Sequence, residues 1–271
     1  MKKQFRILNI ILVILFISPL FVSWLPHEWF ERILPETLNQ GGFIKSLFVS
    51  FQELSITLVT TVVFAMLISI LLGYLSVLSM GVGRFFSNIM NAIESIPSIL
   101  IALFCYAPVS GALVSVKGPT STWLSLGVFV AAATATVLPE AVRSISIPLS
   151  DLYNRKYSVS FRSYGFTKDR ILAVLMKTTL MKDTLKRVAA GILLKTLVLD
   201  TSFGYVIQVG LGATGTPQHT SPGALIAANR KAIINFASGE FNPWPFWIPS
   251  LMLLAVSIAF LIILNETKEE V

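Results

Sequence analysis

The sequence predicts an all-α integral membrane protein with six transmembrane helices and a helical loop between the fourth and fifth. Three observations predict it. Hydrophobic residues make up 54% of the 271-residue chain and charged residues only 13%, where soluble domains carry about 25% charged. Six stretches stay apolar over the roughly 20 residues that a helix needs to cross the hydrocarbon core, at about 7–25, 48–72, 85–107, 122–142, 185–207 and 246–264. The cations are also lopsided. Lys2, Lys3 and Arg6 precede the first stretch, and Arg143, Arg155, Lys156, Arg162, Lys168, Arg170, Lys177, Lys182, Lys186 and Arg187 crowd the region between the fourth and fifth. Short cytoplasmic loops are enriched in Lys and Arg, so an even span count with both termini cytoplasmic satisfies the pattern. The net charge of +7 is then a mark of topology and does not call for nucleic acid.

The first stretch, "ILNIILVILFISPLFVSWL", follows the basic start "MKKQFR". It is longer than the apolar core of a secretory signal and lacks a small-x-small cleavage site, so it reads as a retained helix. With a short outer loop it forms an N-terminal unit, 1–45, ahead of a transmembrane domain over 46–271. Span two, "SFQELSITLVTTVVFAMLISILLGYLSVL", interleaves Ser, Thr and Gly with branched apolar residues, the pattern of a helix that packs closely on others inside a bundle. Span three carries Glu94 and Pro97 in "NAIESIPSILIAL". The proline removes a helical hydrogen bond, and a carboxylate at membrane depth needs protein or water beside it. Cys105 is the single cysteine, which excludes an internal disulfide and a cysteine zinc cluster.

Span five holds Lys195 and Asp200 in "GILLKTLVLDTSFGYV". Five positions apart, they do not share a helical stripe, so different partners are expected. They either line a polar path together with Glu94 and Pro97, or tie helices together. The outer segment 208–245 is rich in Gly, Pro, Thr and Asn, and Ser221 with Pro222 opens a short helix there, read as lying on the surface. His27 and His219 have no second ligand near them in the sequence, so no metal site is expected. There is no phosphate loop, nucleophile elbow or paired-carboxylate motif, and no enzymatic chemistry is expected of this chain.

The loop 150–183 contains "YSVSFRSYGFTKDRILAVLMKT" from 157 to 178. Tyr157, Phe161 and Tyr164 fall at i, i+4 and i+7, one face of a short helix, with Arg155, Lys156 and Arg162 on other faces. Gly165 ends that helix in the left-handed conformation glycine adopts freely. Thr167 stands where a cap for the next helix belongs, and Asp169 lies in its first turn. The element expected is helix, turn, helix.

That layout resembles the cytoplasmic loop of binding-protein-dependent ABC transporter permeases, whose motif runs Glu-Ala-Ala, three residues, Gly, and later Arg-Ile. Gly165 matches the glycine, and Arg170 and Ile171 match the pair; Val159, Ser160 and Phe161 stand at the Glu-Ala-Ala positions. "LLGYLSVL", "SIPSILIAL", "SPGALIAANRKAI" and "NPWPFWIPSLMLLAVSIAFLIILNE" are similar, in order, to segments of the dipeptide, oligopeptide and nickel permeases, nearest the C-type second subunit. The resemblance covers about 45–267. It implies a coupling helix carrying Tyr157, Phe161, Arg162, Tyr164, Gly165, Arg170 and Ile171, which inserts in a groove of an ATPase subunit. It also implies a second permease, two ATPase subunits holding ATP and Mg, an extracytoplasmic binding protein, and the bacterial inner membrane. No cofactor is expected on this chain. Other readings of the same features are an ion-coupled carrier or channel using Glu94, Lys195 and Asp200, and a scaffold whose loop rings lie in the lipid interface.

Overall fold

The computed structural model describes residues 2–35, 42–109, 122–211, 220–230 and 242–269. Among the described residues there are eleven α-helices and no strand: α1 (Lys2–Val22), α2 (His27–Ile33), α3 (Phe43–Leu78), α4 (Met80–Glu94), α5 (Ser98–Tyr106), α6 (Thr122–Asn154), α7 (Lys156–Ser163), α8 (Lys168–Leu175), α9 (Thr179–Leu211), α10 (Pro222–Ala228) and α11 (Trp244–Glu269). Four of them, α3, α6, α9 and α11, are long and apolar enough to cross a membrane, and the number is six if the bent pairs α1–α2 and α4–α5 each count as one span. The bends are 103° and 88°.

Helix α3 shows why small residues were placed where they are. Thr57, Thr61, Ala65, Ser69 and Gly73 recur every fourth position, all buried, and this stripe lets α3 and α6 approach closely. A methyl on Gly73 would press against Ile145 of α6. The opposite face, with Val59, Val63, Phe64, Leu67 and Leu71, is bare, so α3 is one-sided rather than interior. The core below this contact gathers Ile145, Leu149 and Leu152 of α6 with Ile171, Leu172 and Leu175 of α8 and Met181 of α9. A second core joins α3, α9 and α11 through Phe51, Leu54, Leu197 and Val256. A third stacks Phe203 of α9 on Phe129 of α6 and Tyr106 of α5, with ring centroids 4.8 and 5.1 Å apart.

Several boundaries differ from those read in the sequence. The first span stops at Val22, and the chain turns 103° into α2. The third stretch, expected at 85–107 as one kinked span, is two helices separated at Ser95–Pro97. Pro97 has no N–H to continue α4, and it stands at the N-cap of α5. The fourth helix does not end near 142 but runs 33 residues to Asn154, about 50 Å at 1.5 Å per residue, despite Pro139 and Pro148 within it. Arg143 therefore belongs to the helix and not to the loop. Helix α10 begins as expected, with Ser221 accepting from the Ala224 N–H and Pro222 at its first turn. It is not a surface helix, though: Pro222, Gly223, Ala224 and Ala227 are buried against the bundle.

The ends of the chain meet. Asn9 of α1 donates to Glu266 of α11, 2.9 Å, and Leu264 of α11 shares a cavity with Leu180 at the start of α9. The start of α1 and the end of α11 thus lie at the end of the bundle that carries α7 and α8. At the other end Gln52 donates to the Ser23 carbonyl, 2.6 Å, and the Thr220 N–H donates to Glu53, 2.7 Å. The segments 36–41, 110–121, 212–219 (with His219) and 231–241 lie outside the described residues, and with them half of the outer segment 208–245.

Candidate functional site

The α7–α8 unit is built as its residues dictate. Helix α7 closes at Tyr164, and Gly165 follows with φ +79°. The Gly165 N–H donates to the Arg162 carbonyl, 3.0 Å, and the Phe166 N–H reaches back to the Phe161 carbonyl, 3.2 Å. These two bonds are the paired closure of a Schellman turn, which an apolar contact across the same two positions accompanies. Here that contact is aromatic: Phe161 and Phe166 meet edge to face with centroids 5.9 Å apart. Thr167 holds the N-cap position of α8 without a side-chain capping bond, and Asp169 sits in the first turn.

The base of the unit is fixed to two long helices. Ile171, Leu172 and Leu175 are buried beneath α3 and α6. Lys168 donates to the carbonyl of Leu78, the last residue of α3, at 3.0 Å, where a cation also favours the helix dipole. Tyr74 of α3 donates to the Asp169 carboxylate. On α6, the buried Ser158 hydroxyl reaches the Leu152 carbonyl, 2.8 Å, and the Arg162 guanidinium lies 4.8 Å over the Tyr153 ring.

The tip is the reverse. Phe161 is 42% exposed and Tyr164 80% exposed, and Val159 and Phe166 are also exposed beside them. Arg170 covers the Phe166 ring at 5.3 Å. Of the seven residues read as one coupling surface, Phe161, Tyr164, Gly165 and Arg170 lie at this tip, while the Arg162 guanidinium turns to the base over Tyr153. Ile171 faces inward at 3% exposure; its place on the buried face of α8 puts it on the anchoring side. Tyr157 lies on α7, and its side chain falls outside the described set.

The path residues separate into two groups. Glu94, at the end of α4, pairs with Arg143 of α6 at 2.9 Å, and Asn91 accepts from the same guanidinium at 2.9 Å. Lys195 of α9 forms an ion pair with Glu140 of α6, a residue the sequence reading missed because its partner lies 55 positions away. These two pairs join α4, α6 and α9 by charge. Lys195, Glu140 and Arg143 line a cavity of about 580 Å³ between α6 and α9, together with Arg187 and Thr184. Pro97 opens α5 and Asp200 is fully buried at 0% exposure, and neither lines that cavity. Asp200 lies one turn from a close helix contact, where Gly204 and Gly223 bring α9 onto α10 so tightly that a methyl at either would strike Ser221 or the Thr201 backbone. Cys105 is an exposed thiol on α5, and among the described residues no group of His, Cys, Asp and Glu is arranged to hold a metal.

Comparison with known proteins finds no family model that matches this chain and no match among characterised proteins.

Proposed function

We propose that this chain is a transmembrane permease subunit of an ATP-driven importer, with the α7–Gly165–α8 unit as its coupling element. The observation that carries the proposal is the division of that unit. Its base is tied to α3 and α6 by hydrogen bonds and a buried core, while its tip presents Phe161 and Tyr164 to solvent. A lever needs both properties, since a push on the tip must reach the spanning helices. Aromatic rings left in solvent are also stabilised by a partner's groove, by about 2 kcal/mol for a side chain of this size when fully covered.

The partner in this reading is a nucleotide-binding subunit, because the sequence has no phosphate loop of its own. ATP and Mg are held there. A second permease completes the path, and an extracytoplasmic binding protein delivers a short peptide or a related small solute such as nickel or a metal chelate. The chain crosses the bacterial inner membrane six times with both termini cytoplasmic. Six crossings are supported by the meeting of the chain ends and by the course of α4–α5, which begins beside Ser76 of α3 and ends at Tyr106 on Phe203. Nucleotide binding would close the soluble subunits and swing the bundle between inward and outward openings.

A second reading rests on the pairs Glu94–Arg143 and Glu140–Lys195, which would suit an ion-coupled carrier. One experiment separates them. Phe161→Asp, Gly165→Val and Arg155→Ala are compared for co-purification of an ATPase subunit and for substrate-stimulated ATP hydrolysis, after membrane insertion is confirmed. Phe161→Asp places a charge in the groove and Gly165→Val strains the turn, so both lose coupling while Arg155→Ala stays near wild type. Wild-type behaviour of Phe161→Asp in both assays sinks the coupling role; uptake that continues without ATP but stops when the ion gradient collapses supports the carrier.

A further inference from the structure

A cavity of about 460 Å³ opens between α3, α4 and α6 at the end of the bundle that carries α7 and α8. Its lining includes the cations Arg84, Arg143 and Lys168, the polar groups Ser87, Ser150 and Asn154, and no carboxylate. Arg143 is neutralised by Glu94. Lys168 donates to the Leu78 carbonyl and lies 5.4 Å over the Tyr153 ring, but among the described residues it has no carboxylate in ion-pair contact, and Asp169 beside it is engaged by Tyr74. Arg84, Ser87, Ser150 and Asn154 make no side-chain hydrogen bond among the described residues. The cavity therefore sets unused donors around the unpartnered Arg84 guanidinium and a Lys168 ammonium with N–H groups to spare, the complement of a phosphate.

Helix α4 sets its depth. Val82, Phe85 and Ile89 fall at i, i+3 and i+7 and are exposed, whereas Arg84, Ser87 and Asn91 lie on other faces of the same helix. An apolar stripe on one side of a helix with basic and polar groups on the other suits the acyl boundary at the membrane interface. Basic pockets between spanning helices at that level take anionic headgroups. We propose that this cavity binds the phosphodiester headgroup of an anionic phospholipid, with Arg84 and Lys168 on the phosphate, Ser87, Ser150 and Asn154 donating to its oxygens, and the acyl chains lying along Val82 and Phe85. Free phosphate shares the head chemistry, but the apolar stripe beside the cavity gives chains a bed that an inorganic ion does not use. The site stands independently of the transport reading.

Native mass spectrometry of the full-length protein in detergent, titrated with phosphatidylglycerol or phosphatidylcholine, tests it. Phosphatidylglycerol is expected to bind saturably and in preference, and Arg84→Gln to weaken it about fivefold, the effect of one basic residue at an anionic surface. Arg155→Gln, a cation outside the cavity, is expected to leave it unchanged. Arg84 has no internal partner, so its loss leaves the fold intact; Ser150→Asp, which puts a carboxylate in the same cavity, is the second variant. Equal binding of the two lipids, binding unaffected by both variants, or displacement of phosphatidylglycerol by inorganic phosphate at matched concentration would each overturn the proposal.

Discussion

Single residues decide how near the helices come. A methyl at Gly204 would meet the Ser221 hydroxyl, whereas one at Gly191 on the same helix meets nothing within 4 Å. Gly204→Ala is thus expected to cost about 1–3 kcal/mol, the range for overpacking, while Gly191→Ala is neutral or slightly stabilising through helix propensity. Thermal melts in detergent check this, and equal melting temperatures would refute the close contact between α9 and α10. Gly165 is costly to replace for another reason. Its surroundings are open, so only its positive φ resists a side chain, at about 1–2 kcal/mol. Asn at 165 should restore most of the loss suffered by Val, because Asn tolerates the left-handed region. Gly165 was legible in the sequence since a turn glycine follows a short periodic stretch; Gly204 was not, because the group it makes room for lies beyond the end of its own helix.

At the scale of elements, α7 and α8 are predicted to move as one with α3 and α6. Tyr74→Phe combined with Lys168→Met removes the bonds to Asp169 and Leu78, which should raise hydrogen exchange in α8 several-fold while α9 amides keep their protection. Unchanged α8 exchange would mean that the buried Ile171, Leu172 and Leu175 hold the unit alone. Local chemistry revealed both short helices and the turn between them: an aromatic i, i+4, i+7 face for the first, Gly165 for the turn, and Thr167 with Asp169 for the second. It did not reveal that Ile171 anchors while Phe161 presents, since both are apolar and only the third dimension separates them. The break at Pro97 was legible as a loss of one hydrogen bond, but its angle of 88° was not, and neither was the Glu94–Arg143 pair beside it, whose residues lie 49 positions apart. The full length of α6 was hidden by its polar last turns, which extend past the apolar run.

Across the whole molecule, two charge pairs, Glu94–Arg143 and Glu140–Lys195, join different helices. Glu140 and Lys195 each lie about 20 Å or more along their helices from the loop end at 1.5 Å per residue, where an unpaired charge costs about 2.5–3.5 kcal/mol. Glu140→Gln and Lys195→Met are expected to lower the yield of folded protein individually, and the double variant to recover most of it. Monodisperse yield by size-exclusion chromatography reads this; singles as productive as the double would mean that both charges reach water in the cavity between α6 and α9. The helical class, with helices long and apolar enough to cross a membrane, was plain from composition, because lipid leaves a chain few alternatives. The pairing of Glu140 with Lys195 was not, since neither charge carries any mark of its distant partner.

The central claim is that the exposed tip of α7 seats in an ATP-hydrolysing partner. A photoreactive phenylalanine analogue placed at Tyr164, the ring with 80% exposure, reports directly on what lies against it in native membranes. The account predicts a protein adduct whose second chain carries a phosphate-binding loop, formed in high yield at Tyr164 and absent when the analogue is placed at the buried Leu172. Adducts to lipid alone, with no nucleotide-binding chain captured from Tyr164, would contradict it and make this loop an interfacial connector.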